Sequence, residues 1–480
     1  MAAGLGLMTK GGVDAGLEAI GAVDIDPEAC EDYETLVGSP ATCADIAKLV
    51  PSDLPKITKG RRPDVVFTSP PCKAFSGCLP LAKSKTAKYR ALSNLSQLSI
   101  WLVLEAWSDS PPPLIVMENV PRIQSRGREW LDQTIKMLHS YGYAVRETTH
   151  DCGELGGLAQ SRKRFLLVAR HMEQVPEFLY EPPKRRLKGI GEVLGDLPVP
   201  VPGEEGAGPL HHLPRLSPMN WLRLALIPPG GDWCDLPDEV MVGTRPSRQN
   251  GGYGVNNWRE PGHTVVAEGS IQNTWASVTD PRLSCSPRST AYGIADWADA
   301  AGTVVAAACH DNGGFSVADP RVTCKRREGS MGVTGWTETS TAVIANGTHH
   351  NGPWQVAEPT HYLVDTDNGP LLFGPDLDLD SRQSAKPVPI IRSIDGTWHR
   401  PMTTLELAAL QGFPLKIDGE WLDLAGGSHK RFRQRIGNAV PAPAAEAIAA
   451  SCIRTLEAAE AGGFLMSGEP VWVDSERLSA

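Results

Sequence analysis

The first 180 residues alternate short apolar runs with helix-like stretches. "PDVVFTSPP", "PPLIVMENV" and "RFLLVAR" are unbroken apolar runs rich in branched residues, and each ends in polar residues or proline. Runs of that length with no polar alternation predict strands buried on both faces, in parallel. Between the first two, residues 92–107 place Leu95, Leu98, Trp101, Leu102 and Leu104 on one helical face. The alternation predicts an α/β, doubly wound, Rossmann-like sheet whose sites lie at the carboxyl ends of its strands.

After residue 182 the pattern changes. Glycine, proline, tryptophan, threonine and asparagine become frequent and helical periodicity fades up to about residue 389. A repeat of 39 residues runs through about 253–365: "YGVNNW", "YGIADW" and "MGVTGW" align Trp258, Trp297 and Trp336. "TDPRLSC" and "ADPRVTC" follow in register, with "AEPTHYL" as a degenerate third copy. Three copies are too few to close a propeller, so stacked β-rich units are expected. From residue 390 helical sequence resumes, with a capping-type start at Thr403 and Thr404 in "TTLELAALQGFP". "RIGNAVPAPAAEAIAASCIRTLEAA" predicts a turn and an alanine-rich helix, and 461–480 a loosely attached tail. The expected organisation is a first lobe over 1–182, a β-rich region over 183–389, a return to the first lobe over 390–460, and the tail.

Bulk composition narrows the classes. At 480 residues the chain exceeds one ordinary domain. No apolar run is long enough for a membrane span, and the N-terminus lacks an export signal, so a cytoplasmic setting is expected. Ten cysteines without a Cys-x-x-Cys pair argue against a metal site or a disulfide framework. The net charge of −10 means that any nucleic-acid partner must meet a local basic surface. Lys83, Lys85, Lys88 and Arg90; Arg162, Lys163 and Arg164; Lys184, Arg185, Arg186 and Lys188; and Lys430, Arg431, Arg433 and Arg435 supply four clusters.

Candidate chemistry gathers at the predicted strand ends. "AGLGLMTKGGVDAGLEAIGAVDIDP" offers Gly4 and Gly6 for close backbone approach, then Asp24 at a strand end as an acceptor for ribose hydroxyls. Asp45 in "CADIAKL" is a second such acid. In "SPPCKAFSGC", Pro70 and Pro71 stiffen the turn that projects Cys72, a candidate nucleophile that needs activation to a thiolate. Glu118 ends the next strand, where burial without a partner or task is costly. Gln160, Arg162 and Arg164 alternate in "AQSRKRFLLVAR", so a strand would point all three one way.

The ordered set SPPC, ENV, QSRKR and RIGNAVP resembles the DNA cytosine-5 methyltransferases, over about 1–182 and 390–460. The resemblance implies an S-adenosylmethionine-dependent catalytic lobe, to which residues 390–460 return, and a target-recognition lobe over the intervening region. It implies a flipped-out cytosine in duplex DNA, with Cys72 attacking C6 and Glu118 protonating N3. Arg162 would contact the base carbonyl and Arg164 would support the catalytic loop. Gly4, Gly6, Asp24, Ile25, Asp45, Ile46, Pro70 and Asn438 would hold S-adenosylmethionine. Lys73, Ser76, Lys83 and Lys85, on a loop that closes over DNA, together with Gln160, would contact DNA. Arg282 and Arg321, at equivalent "DPR" positions of the repeat, are expected to touch DNA, at phosphate rather than base; the alternative is a self-contained turn.

The chain departs from the family pattern at three places. The family opens with a strand that leads into the glycine turn, whereas this sequence begins at the turn. With Ala2 at the aromatic position and Leu7 at a glycine position, the central strand is expected to be missing or improvised and adenine to lose a stacking partner. Lys73 replaces the usual glutamine or proline, adding a cation beside the thiol that either lowers its pKa or meets phosphate. It is also compatible with a negatively charged methyl donor. Two other functions compete: a catalytically impaired DNA-binding protein, and a cytosine-N4 or adenine-N6 methyltransferase, which would carry an aromatic residue in place of Cys72. A monomer is expected, in a prokaryotic cell or a virus-infected prokaryotic host.

Overall fold

A computed structural model of the chain describes residues 1, 3–71, 75, 86–175, 179–200, 206–214, 224, 227, 254–256, 259–265, 398–462 and 471–473, with short strands between 277 and 392. The chain divides into two compact units. One comprises Met1–Leu213, Pro246–Val278 and Pro401–Ala480; the other comprises Pro214–Arg245 and Thr279–Arg400. The first unit therefore runs past residue 182 and takes in the first repeat as far as Val278.

In the first unit, helix α1 (Leu7–Asp14) leads to strand β1 (Val23–Asp24), helix α2 (Pro27–Val37) and strand β2 (Thr42–Cys43). Asp26 caps α2, its side chain accepting from Glu28 N, and Pro27 starts the helix where no N–H is needed. Strand β3 (Val65–Thr68), helix α3 (Ala87–Ala106), strand β4 (Leu114–Asn119), helix α4 (Arg128–Ser140), and strands β5 (Tyr143–Asp151) and β6 (Lys163–His171) follow. Within α3, Ile100, Leu102, Val103 and Leu104 are buried while Trp101 is exposed, so the inward face is rotated from the expected one.

The order of the main sheet is β3-β4-β6-β5. β3 and β4 are parallel, but β6 runs antiparallel to both β4 and β5, which corrects the expectation of three parallel strands. Only residues 152–162 join β5 to β6, too few for the crossover that a parallel neighbour requires.

β1 and β2 form a separate parallel pair. Between that pair and β3 lies a cavity of about 130 Å³, lined by Val23, Val65, Val66 and Phe67 with Leu17, Leu54, Val103 and Trp107. Met1 makes one ladder rung across it. Its amine donates to Phe67 O at 2.9 Å, its carbonyl accepts from Ser69 N at 3.4 Å, and Ala3 N reaches Val23 O at 3.0 Å. Among the described residues, Met1 and Ala3 thus link the two sheet edges.

The carboxyl-terminal part adds helices α5 (Thr404–Leu410), α6 (His429–Asn438) and α7 (Ala442–Glu460). Thr403 and Glu406 form a reciprocal capping box at the start of α5. α1 packs directly on α7: a Cβ at Gly11 would stand 2.3 Å from Ala442 O. Gly11 is thus needed for helix contact. Val471–Val473 pairs antiparallel with Leu179–Tyr180, so part of the expected tail is a strand.

The repeat has a regular backbone signature. In the first unit, Val255 pairs in parallel with Ser277. In the second, Ile294 pairs with Ser316 and Val333 with Gln355, also in parallel. Every pair joins residues 22 apart, and successive pairs are shifted by the 39-residue period. The second unit also holds the hairpin Tyr362–Thr366 with Gly369–Phe373.

Candidate active site

Two strand ends carry the chemistry. All six residues of β4 are buried and alternate between faces: Leu114 and Val116 enter one core cluster, Ile115 and Met117 another. Glu118 therefore shares its face with Leu114 and Val116. On β6, Leu166 and Val168 enter that same cluster, which puts Arg164 on the same face. The register sets Glu118 opposite Leu166, so Arg164 is its diagonal neighbour, within reach of a long side chain. Arg164 Nε meets Glu118 Oε1 at 2.9 Å, and Ser69 Oγ donates to Glu118 Oε2 at 2.6 Å. The Glu118 carboxylate, only 5% exposed, thus has a donor on each oxygen.

Glu118 and Arg164 open onto a cavity of about 530 Å³. Its wall also contains Gly4, Gly6, Asp24, Ile25, Asp45, Ile46, Pro70 and Asn438, the eight residues expected to hold a cofactor. Gly4 and Gly6 have φ of 54° and 81°, values that favour glycine. Asp24 accepts from Gly4 N at 2.8 Å and from Asp26 N at 3.0 Å, which fixes the glycine turn onto the strand end. Asp45 accepts from Ala47 N at 3.0 Å. Ile25 projects as an exposed apolar side chain. Two carboxylates, an open glycine backbone and an apolar surface suit a nucleoside with hydroxyl and amino donors.

Arg162 and Gln160 are placed differently from the expectation. β6 begins at Lys163, so the strand alternation does not extend back to them. Arg162 is fully buried. Its Nη1 donates to Val265 O at 2.7 Å, and its Nη2 to Gly437 O at 2.8 Å and Ala439 O at 2.9 Å. Gln160, also fully buried, donates to Leu410 O and Gln411 Oε1 and accepts from Val265 N. Both side chains tie the first repeat and the 436–439 turn into the first unit. Neither presents a free face to a substrate.

Cys72, Lys73, Ser76, Lys83, Lys85, Arg282 and Arg321 lie outside the described residues. Phe75, close after Cys72, is buried against Trp130 with ring centroids 6.0 Å apart. Among the described cysteines, burial pushes Cys30, Cys152 and Cys452 up to about 12, so these thiols stay protonated near neutral pH. Among the described residues there is no group of three or more His, Cys, Asp or Glu side chains that would hold a metal.

The family model described as C-5 cytosine-specific DNA methylase matches residues 1–207 and 323–454. The chain belongs to this family. Type II methylase M.HgiDII of Herpetosiphon aurantiacus is 24% identical over 253 residues, covering 52% of this chain and 69% of that protein. Type II methyltransferase M.HgiDI of the same organism is 30% identical over 170 residues, 35% of this chain and 50% of its own length. Type II methyltransferase M.XorII of Xanthomonas oryzae is 26% identical over 201 residues, covering 41% and 45%. The chain thus spans about half the length of the latter two.

Membership of the C-5 cytosine-specific family decides against an amino-methyltransferase. Reading the sequence for this C-5 methylase missed two things. Ser69 lies beside the Pro-Pro turn, but only the structure brings its hydroxyl to Glu118. Arg435 reads as part of a basic cluster. It is instead buried, lines the cavity, and pairs with Glu28 and with Asp32, the latter at 2.8 Å. The signal for Arg435 was available in the acidic spacing of α2, where Glu28 and Asp32 share a face at i, i+4.

Proposed function

We propose that this family member methylates C5 of cytosine in duplex DNA through a thiolate on Cys72, with S-adenosylmethionine as donor. The observation that carries the reading is the doubly held Glu118 beside Arg164, at the edge of a cavity walled by the eight expected cofactor residues. A stacked base is out of reach, so the cytosine leaves the duplex. Cys72 adds to C6, N3 takes a proton from Glu118, and C5 becomes electron-rich. Arg164, whose guanidinium lines the cavity, contacts the base carbonyl in this reading, while Arg162 holds the architecture behind it. S-adenosylmethionine, when bound, supplies the methyl group to C5. The C5 proton then passes to solvent as the thiolate leaves C6, and N3 returns its proton to Glu118.

Asp24 and Asp45 would accept from the donor's hydroxyl and amino groups, and Ile25 would cover its adenine. The partner is duplex DNA. A monomer in the cytoplasm of a prokaryotic cell, or of one infected by a virus, fits that task, and no described helix is long and apolar enough to cross a membrane.

Trapping tests the reading. With a 5-fluorocytosine duplex and S-adenosylmethionine, the protein is expected to form a covalent complex that Cys72→Ser does not form. Folded wild-type protein that leaves no complex would favour the binding-only alternative. Bisulfite sequencing of DNA from an expressing host reports the recognised sequence.

A further inference from the structure

We infer that Ser69 is a positioning residue for Glu118, holding its carboxyl group in both protonation states while a proton passes to the base. The inference rests on the proposed cytosine chemistry and adds a residue to it. Ser69 follows β3 directly and is itself constrained: its backbone N–H meets Met1 O at 3.4 Å, and Pro70 and Pro71 limit the chain beyond it. Its hydroxyl donates to Glu118 Oε2 at 2.6 Å, while Arg164 Nε occupies Oε1 at 2.9 Å. Two donors on opposite oxygens fix the carboxylate plane, and a buried carboxylate turned out of that plane would not aim its proton.

The two donors are not equivalent. A guanidinium donates and never accepts, so Arg164 serves only an oxygen with a free lone pair. A hydroxyl rotates. When Oε2 is ionised, Ser69 donates to it; when Oε2 carries the proton, Ser69 accepts from it until the base is seated and the proton turns to N3. Glu118 can therefore gain and lose a proton on the Ser69 side without losing a hydrogen bond. An alanine at position 69 takes that hydrogen bond from Oε2 and leaves Arg164 on Oε1, and a threonine keeps the hydroxyl.

Two measurements decide the matter. The first is the Glu118 carboxyl titration, followed by ¹³Cδ-glutamate NMR and assigned with Glu118→Gln. The hydrogen bond to the charged carboxylate is stronger than that to the neutral acid, so Ser69→Ala is expected to move the ionisation to higher pH and Ser69→Thr to restore it. The second is the single-turnover methylation rate, expected to fall by about tenfold or more in Ser69→Ala and to recover in Ser69→Thr, the loss typical of a hydrogen bond to a charged group. S-adenosylmethionine affinity is expected to stay within about twofold, since Ser69 acts through Glu118. A Glu118 titration unmoved by Ser69→Ala overturns the inference, as does a full methylation rate in that variant. The titration needs no turnover, so it tests Ser69 even where wild-type protein fails to trap 5-fluorocytosine, and the two failures are distinguishable.

Discussion

Arg162 and Arg164 differ by one intervening residue, yet strand register and burial give them opposite environments. Arg164 is a partly covered cation on a carboxylate in an open cavity. Arg162 is fully buried on three backbone carbonyls. Arg164→Lys is therefore expected to leave the thermal midpoint nearly unchanged and to lower the methylation rate by about a hundredfold, since an ammonium does not reproduce the fork of a guanidinium. Arg162→Met is expected to lower stability by about 3–5 kcal/mol, because it strands buried carbonyls, with the loss visible in urea titrations. If Arg162→Met stayed fully stable but failed to methylate, the substrate contact would belong to Arg162 instead. Gly11→Ala makes the complementary test of packing. Its Cβ would press on Ala442 O, so a loss of about 1–3 kcal/mol is expected, read from the same titration.

Elements are held by local chemistry at their ends and by longer-range pairing along their edges. Thr403 shows the first: Glu406 N donates to its hydroxyl at 3.2 Å, and Thr403 N donates to Glu406 Oε2 at 2.8 Å. Thr403 Oγ1 also meets His211 Nδ1 at 3.0 Å. Thr403→Ala is expected to lower stability by about 1–2 kcal/mol, the upper end for a cap because a buried histidine loses a partner too. Edge pairing is exemplified between β1 and β3, where Met1 bonds Phe67 and Ser69 on one side and Ala3 bonds Val23 on the other. The repeat strands combine both scales, since one sequence period produces one constant parallel offset.

Charge and titration belong to the whole molecule. Much of the basic sequence is already engaged within the chain. Arg431 meets Asp26 at 3.4 Å and Glu28 at 2.7 Å, Arg435 pairs with Glu28 and Asp32, and Lys184 meets Glu154 at 3.1 Å. Those cations stabilise the acidic protein itself, which leaves the 73–90 stretch and the repeat arginines as the better candidates for phosphate. Burial also depresses three described histidines, His150, His171 and His429. Each resists protonation when folded, so the unfolded chain takes up the proton first as pH falls through about 6.5. Their contribution to stability is present above that pH and lost below it. The urea midpoint is expected to be lower at pH 5.5 than at pH 7.5, and His429→Gln to narrow the difference.

The elements and the order of the motifs were legible in the chain because their causes are local. Apolar runs ended by proline mark β3 and β4, a threonine three residues before a glutamate marks the start of α5, and a repeated tryptophan marks the 39-residue period. The glycines and acids at successive strand ends were legible for the same reason, and they line one cavity. What needed the tertiary structure was the pairing between segments distant in sequence. The direction of β6 depends on how few residues join it to β5, and the division of labour between Arg162 and Arg164 on where that strand begins. The link from Ser69 to Glu118 depends on β3 and β4 lying side by side, 49 residues apart in sequence. A side chain's type is written in the sequence, but its partner is set by register and burial, which depend on the folded chain as a whole.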